Sequence, residues 1–200
     1  MTVATTSTKT AMSLAEFLAF DDGTDASYEL ENGELIAMPP ESDRNQRITS
    51  VLFAYLLRLG IAPECLRMNA ELVVSGARAT VRVPDLMVLS EELLAALEGA
   101  TRATVTLEMP PPALVVEVVS PGQRNIDRDY RYKRSQYEAR GIQEYWIVDP
   151  LAEKVTVFQL QQGLYEGMTF EGEAAIESEQ LKALQVGEEL TAVKILDAKA

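Results

Sequence analysis

The sequence contains no histidine and a single cysteine among its 200 residues. Without histidine, the chain cannot carry a Ser-His-Asp or Cys-His catalytic set, a histidine general base, or an iron site made of two histidines and a carboxylate. The lone Cys65 excludes an internal disulfide bond, and the missing histidine excludes the usual Cys/His zinc sites. If the chain is an enzyme, its chemistry must come from carboxylates, lysine, arginine, tyrosine or a metal.

Long apolar runs and glycine-rich nucleotide motifs are also missing. No apolar stretch reaches the roughly 18 residues of a membrane span, and the polar, threonine-rich first dozen residues lack the apolar segment of a signal peptide. Neither a phosphate-binding P-loop nor a dinucleotide fingerprint occurs. Because the membrane span and the signal-peptide segment are both missing, we expect a cytoplasmic protein that has no membrane partner, with a flexible tail over residues 1–11. Because 47% of the residues are hydrophobic, we expect a single domain over residues 12–200.

Positive charge is scarce, since the formal net charge is −13. This balance argues against a broadly basic nucleic-acid binder, because neutralising phosphates requires clustered lysine and arginine. Residues 124–140 are the exception, with six basic residues against three acidic ones. Local distribution therefore matters more than the total charge.

Strand patterns outnumber helix patterns, and helices fall between several of the strands. YELENGELIAM predicts a β-hairpin about Asn32-Gly33, in which Glu29 lies opposite Ile36. A helix capped by Ser42 or Asp43 should end at Gly60 and carry Asn45 on its inward face. The other predicted strands are ELVVSG, TVRVPDLMVLS, LVVEVV, EYWIVDP and KVTVFQLQ. The fold class is α/β or α+β, with a mixed central sheet flanked by helices.

One carboxylate interrupts the apolar run PALVVEVVSPG. The run lacks the alternation of a strand with one wet face, so it predicts a strand that is buried on both faces, with Glu117 pointing into the protein. An isolated buried carboxylate costs several kcal/mol, so Glu117 needs a cation, a hydrogen-bond donor or a metal, or else keeps its proton. A buried arginine is one alternative partner.

The helix that follows this strand has a lysine where its apolar stripe needs a core residue. Ile126, Tyr130 and Tyr137 follow helical spacing, and Lys133 occupies the missing position of that stripe. Alternatively, Lys133 extends to solvent or pairs with Asp129 four residues earlier. We favour an inward-facing lysine.

Asp85, Glu117 and Lys133 together suggest a metal site. Asp85 directly follows Pro84 at the start of an apolar strand, where a turn or cap role is the alternative. Two carboxylates from neighbouring strands suit Mg²⁺, which takes one or two carboxylates and keeps several waters. A nearby ammonium could orient or deprotonate a water, which is the minimum equipment for metal-assisted phosphodiester hydrolysis without histidine.

These motifs resemble the Uma-type restriction endonuclease family, a branch of the PD-(D/E)XK nuclease superfamily. The likeness covers roughly residues 12 to 195 and rests on YELENGELIAMPP, VPDLMVLS, LVVEVVSP, GIQEYWIVDP and the D-x-x-x-K-x-x-x-Y spacing of Asp129, Lys133 and Tyr137. It implies a mixed four-stranded core sheet flanked by helices, with added strands at either end. These additions include the N-terminal hairpin and extra C-terminal strands.

The resemblance also implies site residues. Asp85 matches the acid of the PD motif, Glu117 matches the acid of the (D/E)XK motif, and Glu29 matches a hairpin glutamate that assists them or is simply exposed. Val119 stands where the motif lysine is expected, and Lys133 on the next helix replaces it. Asn45 stands where the family carries histidine, and asparagine can hydrogen-bond a phosphate or water but cannot carry a proton at neutral pH.

The expected function is therefore a Mg²⁺-dependent DNA endonuclease, in which Mn²⁺ could substitute. Asp85 and Glu117 would bind the metal, Glu29 would assist, and Lys133 would position the attacking water. Candidates for holding DNA are Asn45, Arg124, Arg128, Arg131 and Arg134, although solvated helix charge is the competing interpretation of each arginine. Two alternatives stay open: a non-catalytic interaction module that retains the nuclease fold, and a hydrolase of another phosphoester. A homodimer would suit the cutting of two strands, but no sequence feature shows it.

Overall fold

The computed structural model describes residues 11–182, 184 and 189–197. The helices are α1 (Leu14–Leu18), α2 (Asp43–Arg58), α3 (Glu91–Ala96), α4 (Gln123–Asp127), α5 (Arg134–Arg140), α6 (Glu179–Lys182) and α7 (Ala192–Asp197), with a 3₁₀ turn at Pro63–Cys65 and a π-helical stretch at Arg128–Lys133. The strands are β1 (Tyr28–Glu31), β2 (Glu34–Ala37), β3 (Leu66–Arg67), β4 (Glu71–Val74), β5 (Thr80–Arg82), β6 (Leu86–Val88), β7 (Thr104–Val105), β8 (Leu114–Val118), β9 (Glu144–Asp149), β10 (Lys154–Gln161) and β11 (Leu164–Glu171). The tail predicted for residues 1–11 lies, except for Ala11, outside the described residues.

The strands form two mixed sheets. The larger sheet has the order β11-β10-β9-β8-β6-β3, with β8 and β9 parallel and the other neighbouring pairs antiparallel. The smaller sheet has the order β2-β1-β5-β4-β7, with β4 and β7 parallel. The predicted α+β class with a mixed sheet flanked by helices is confirmed, and the predicted hairpin lies in the second sheet. Glu29 pairs with Ile36 in that hairpin, as the Asn32-Gly33 turn predicts.

The larger sheet is covered on both faces. Val116 and Val118 of β8 pack into one apolar cluster with Ile48 and Leu52 of α2, and Val115 packs into a second cluster on the opposite face. That second cluster also contains Leu72 of the smaller sheet and Tyr137 of α5. Strand side chains alternate between faces, so Glu117 points toward the smaller sheet and α5. The prediction that β8 is buried on both faces is confirmed.

TVRVPDLMVLS forms two strands in different sheets, and its interpretation as one strand was wrong. Thr80–Arg82 forms β5 of the smaller sheet, and Leu86–Val88 forms β6 of the larger sheet. Pro84 has no backbone N–H to donate to a ladder, so pairing stops there and the chain crosses between the sheets. Asp85 therefore lies at this crossing point. Strand β11 was not predicted, because its buried residues are sparse and Gly167 interrupts it.

The helical run that carries Lys133 is continuous, but its middle is wound as a π-helix. The run consists of helix α4, the π-helical stretch Arg128–Lys133 and helix α5, which follow one another without a break. It ends at Gly141, whose φ of +79° favours glycine. Single π-helical turns occur frequently at functional sites. In the described part of the chain, no helix combines the length and apolarity needed to cross a membrane.

Candidate functional site

Glu117 is buried in the centre of β8 and contacts two residues of the helical run. Its Oε2 lies 2.7 Å from Nζ of Lys133, and its Oε1 accepts a hydrogen bond of 2.6 Å from the Tyr137 hydroxyl. Burial raises the pKa of Glu117 to about 8; the Lys133 ammonium opposes this shift, and the Asp85 carboxylate adds to it. The partner that the apolar run required is therefore a lysine and a tyrosine.

Asp85 lies beside Glu117 because of the register between β6 and β8. Leu86 is paired with Val116, so continuing the antiparallel register by one residue places Asp85 opposite Glu117 on the same face. Asp85 Oδ2 accepts a hydrogen bond of 2.6 Å from the backbone N–H of Val118. Burial raises the pKa of Asp85 to about 6, although that hydrogen bond and the Lys133 ammonium oppose the shift. Asp85 thus ties two strands together at the site and does not cap a turn.

Lys133 is 1% exposed, so the alternative in which it extends to solvent was wrong. Besides Glu117, its Nζ lies 3.6 Å from Asp129 Oδ1 and 3.7 Å from Glu29 Oε1. Burial acts to lower the pKa of Lys133, but the carboxylates of Glu117 and Glu29 outweigh it and raise the pKa above its usual value. The side chain is therefore a charged ammonium among carboxylates.

Glu29 is also buried, so the alternative of an exposed hairpin acid was wrong. Its Oε2 lies 3.0 Å from Nη1 of Arg82, and its Oε1 accepts a hydrogen bond of 3.1 Å from the Val83 amide. Burial acts to raise the pKa of Glu29, but the charges of Lys133 and Arg82 outweigh it and hold the pKa below its usual value. Both oxygens of Glu29 are therefore already engaged, and its position fits a role in fixing Lys133.

Two residues at the site make contacts that were not predicted in full: Asp129 was an alternative surface partner of Lys133 but faces it in the interior, and Tyr137 was predicted only as part of the apolar stripe. Asp129 is 1% exposed, and its Oδ1 faces Lys133 and the Arg128 guanidinium. Its Oδ2 is buried and has no hydrogen-bond partner within the described residues. The Tyr137 hydroxyl holds Glu117. The D-x-x-x-K-x-x-x-Y spacing was a signal for both residues, because positions four apart lie on the same face of a helix.

Arg82 was missed, although it repeats the signal that identified Glu117. It is a charged residue between valines in a short apolar strand, and it is 0% exposed. Its guanidinium contacts Glu29, Glu31 and the side-chain oxygen of Gln136. Arg82 thus joins the hairpin to the helical run beside the site.

Asn45 is buried at the start of α2, near the end of β8. Its amide nitrogen donates a hydrogen bond of 2.8 Å to Glu41 Oε1 and lies 3.3 Å from the Ser120 hydroxyl. Glu41 also accepts from that hydroxyl at 3.2 Å and adds to the raised pKa of Asp85. Asn45, Glu41 and Ser120 therefore form a small hydrogen-bonded cluster at the rim of the site.

The four candidate arginines separate into two groups. Arg124 and Arg128 line a cavity beside the hairpin. Arg131 is exposed and lies 3.6 Å from Asp127, while Arg134 donates to the carbonyl of Tyr165 and lies over the Phe158 ring. The structure thus brings Arg124 and Arg128 to one concave surface and directs Arg134 to β11.

The donor set around Asp85 and Glu117 consists of oxygen, which suits a hard cation such as Mg²⁺. No group of three or more potential ligands in a metal-binding arrangement is present in residues 11–182, 184 and 189–197. A cation at this position would rest on the two carboxylates and on water. The unpartnered, buried Oδ2 of Asp129 is an acceptor that a bound water could satisfy.

Comparisons with known proteins bear on the family and on the fold. A family model described as "Putative restriction endonuclease" matches residues 14–192. A solved structure described as a "putative nuclease" from Anabaena variabilis has a TM-score of 0.67 and 17% identity, and the match covers 94% of this chain and 98% of that chain. At this identity the likeness shows the fold alone. No curated protein matches the chain.

Proposed function

The chain belongs to the family described as "Putative restriction endonuclease", and from this premise we propose that it is a Mg²⁺-dependent DNA endonuclease. The observation that carries the proposal is the meeting of Asp85, Glu117 and Lys133. Asp85 directly precedes β6, which pairs with the strand that carries Glu117, and Lys133 Nζ lies 2.7 Å from Glu117. Three residue types suited to phosphodiester hydrolysis thus converge from three separate elements.

Asp85 and Glu117 would hold the cation. Four carboxyl groups surround or flank Lys133, namely Asp85, Glu117, Asp129 and Glu29, and the nearby cations are Lys133, Arg82 and Arg128. When all four carboxyl groups are ionised, negative charge is in excess, and a bound cation would balance it. The raised pKa values of Asp85 and Glu117 follow from burial and from this excess. When bound, Mg²⁺ would stabilise the charge that develops on the phosphate.

Lys133 would orient the attacking water as a hydrogen-bond donor. Its raised pKa keeps the ammonium charged at neutral pH, so a role as a general base is disfavoured. Glu29 of the hairpin and Asp129 of the π-helical stretch would help to hold the ammonium in place. The unpartnered Oδ2 of Asp129 would accept a hydrogen bond from a water beside Lys133.

The test is cleavage of supercoiled plasmid and of single-stranded circular DNA in Mg²⁺ or Mn²⁺, with EDTA as the metal-free control. Glu117→Gln and Lys133→Met preserve side-chain size, and both should abolish cleavage while the circular dichroism spectrum stays native. Glu98→Ala and Lys182→Ala remove the same charges at exposed positions and should cut normally. Equal cleavage by all four variants would reveal a contaminant and contradict the proposal.

A second candidate is a non-catalytic interaction module that retains the fold. It is favoured by one observation: both oxygens of Glu117 are already engaged, by Lys133 and Tyr137. Calorimetry with Mg²⁺ and Mn²⁺ separates the two, because the module should bind neither ion at this site. Comparing DNA with small phosphoesters distinguishes an endonuclease from a hydrolase of another phosphoester.

A homodimer would bring a second site to the opposite DNA strand. Analytical ultracentrifugation with and without a short duplex tests this, and a monomer in both conditions would contradict it. The expected cytoplasmic location is tested by imaging the tagged protein in its host cell.

A further inference from the structure

A cavity of about 720 Å³ opens beside the candidate site, between the β1-β2 hairpin turn and the helical run. Its wall includes Asn32 and Gly33 of the turn, and Arg124, Arg128 and Tyr132 of the run. Pockets for small organic ligands have volumes of about 300–1,000 Å³, so this one is large enough for a nucleotide.

The cavity is connected to the candidate site through three side chains of its wall. Arg128 donates a hydrogen bond to Oδ1 of Asp129, which in turn lies 3.6 Å from Lys133. Glu31 and Gln136 both accept from Arg82, which holds Glu29. The shorter of these links, through Arg128 and Asp129, places two side chains between a ligand in the cavity and Lys133.

Tyr132 is the exposed aromatic residue among those that the structure describes, with 58% of its surface accessible. All the other described aromatic side chains are buried or half-buried. Within the described residues, neither the ring nor the hydroxyl of Tyr132 has a partner. An exposed aromatic face at a concave surface is a platform on which a base can stack.

Two arginines on the wall are also free to bind an anion. Arg78 and Arg124 are exposed and have no ion-pair partner within residues 11–182, 184 and 189–197. The wall also carries Glu34 and Glu31, of which Glu31 is already held by Arg82, so its three arginines outnumber its two glutamates in a protein with a net charge of −13. Guanidinium groups match the geometry of phosphate oxygens.

We propose that this cavity binds an unpaired nucleotide of a DNA strand, with its base stacked on Tyr132 and its phosphates held by Arg78 and Arg124. The inference rests on the proposed function, because it names the form of the substrate. Bases inside a duplex are already stacked on their neighbours and cannot present a face to Tyr132. The substrate would therefore be single-stranded DNA, or a duplex with an unpaired segment.

The test is fluorescence anisotropy in EDTA, so that binding is measured without cleavage. The probes are a labelled single strand, the same strand in a blunt duplex, and a strand of equal length that lacks all bases. Tyr132→Ala should weaken binding of the single strand about tenfold, while Tyr132→Phe should not. Neither variant should change binding of the baseless strand or of the duplex.

Arg124→Ala should weaken binding of both the single strand and the baseless strand, because both keep their phosphates. Arg58→Ala is the matched control for charge, since Arg58 lies at the far end of α2, about 20 Å along the helix from Asn45. It should leave all three affinities unchanged. Equal losses for Arg58→Ala and Arg124→Ala would indicate a general charge effect and overturn the proposal.

Cleavage by the unmodified protein is measured separately in Mg²⁺, so that the two proposals can fail independently. Strand binding that depends on Tyr132 without any cleavage would support the cavity and contradict the endonuclease. Cleavage, together with a single-strand affinity that Tyr132→Ala leaves unchanged, would support the endonuclease and overturn the proposal that the cavity binds a nucleotide. Absence of single-strand binding to the unmodified protein would also overturn the cavity.

Discussion

Lys133 Nζ lies 2.7 Å from Oε2 of Glu117, and both side chains are almost completely buried. A buried ion pair of this kind is weak evidence for stability, because the two desolvation penalties offset much of the attraction. The pair therefore invites a functional explanation. The site also binds Lys133 to two further carboxylates, which a purely structural ion pair would not require.

Breaking the ion pair from one side should destabilise the protein more than removing both charges. At a pH above the pKa of about 8 of Glu117, Lys133→Met leaves the buried carboxylate without its cation, and we expect a loss of about 3 kcal/mol in the free energy of unfolding. The double variant Glu117→Gln/Lys133→Met should lose less than the sum of the single variants, with a coupling of at least about 1 kcal/mol. Urea unfolding measures all three, with Lys182→Met as an exposed control. Additive losses would mean that the two groups do not interact.

The stability of the metal-free protein should fall as the pH rises. Burial raises the pKa of Glu117 from an ordinary value of 4.5 to about 8, so the folded state binds more protons than the unfolded state across this window. The free energy of unfolding therefore decreases from the lower to the upper end. Asp85, with a pKa raised to about 6, acts in the same direction. The effect is measured by the melting temperatures of the unmodified protein and of Glu117→Gln at the lower and the upper end of this pH window. The melting temperature of the unmodified protein should fall more between the two ends than that of the variant.

Mg²⁺ should oppose this dependence. Carboxylates bind the cation when they are deprotonated, so the rise in melting temperature on adding Mg²⁺ should be larger at the upper end of the window. The Glu117→Gln variant should show little rise at either end. A melting temperature that ignores Mg²⁺ at every pH would favour the interaction module.

Tyr137 should influence the cation through Glu117. Tyr137→Phe removes the 2.6 Å hydrogen bond to Oε1, and we expect a loss of about 2 kcal/mol in unfolding free energy and about tenfold weaker Mg²⁺ binding. Tyr165→Phe is the matched control, because its buried hydroxyl donates to the Ile142 carbonyl. The control should lose stability without losing Mg²⁺ affinity. Equal Mg²⁺ affinities for both variants in calorimetry would exclude a positioning role for Tyr137.

Glu29 and Glu31 contact the same guanidinium but should differ in importance. Glu29→Gln weakens a fully buried pair with Arg82 and removes a charge that faces Lys133, so we expect a loss of about 3 kcal/mol. Glu31 is 29% exposed at its side chain, so water can replace it and Glu31→Gln should cost less than about 1 kcal/mol. Chemical denaturation compares the two, and similar losses would contradict the role of burial.

Local signals predicted several elements correctly. The Asn32-Gly33 turn set the hairpin register, Ser42 caps α2, and the C-cap of α2, Leu59, directly precedes the predicted stop at Gly60. Each depends on a few neighbouring residues and on backbone geometry that those residues favour. By contrast, the position of Pro84 is visible in the sequence, but the sequence does not show that the segments on its two sides join different sheets. Pairing into a second sheet depends on distant strands.

The sequence alone determined that charged side chains enter the core, because Glu117 and Lys133 occupy positions that an apolar pattern reserves for the interior. It could not determine which charges would meet. Only the tertiary structure shows that Lys133 pairs with Glu117 and that Arg82 pairs with Glu29. It also shows that Arg124 and Tyr132 line the same cavity. The reason is physical. Burial of a side chain can be predicted from the periodicity of its sequence neighbours, whereas the pairing of two charges depends on strand register and sheet packing. Both of these are determined by contacts between residues that lie far apart in the chain.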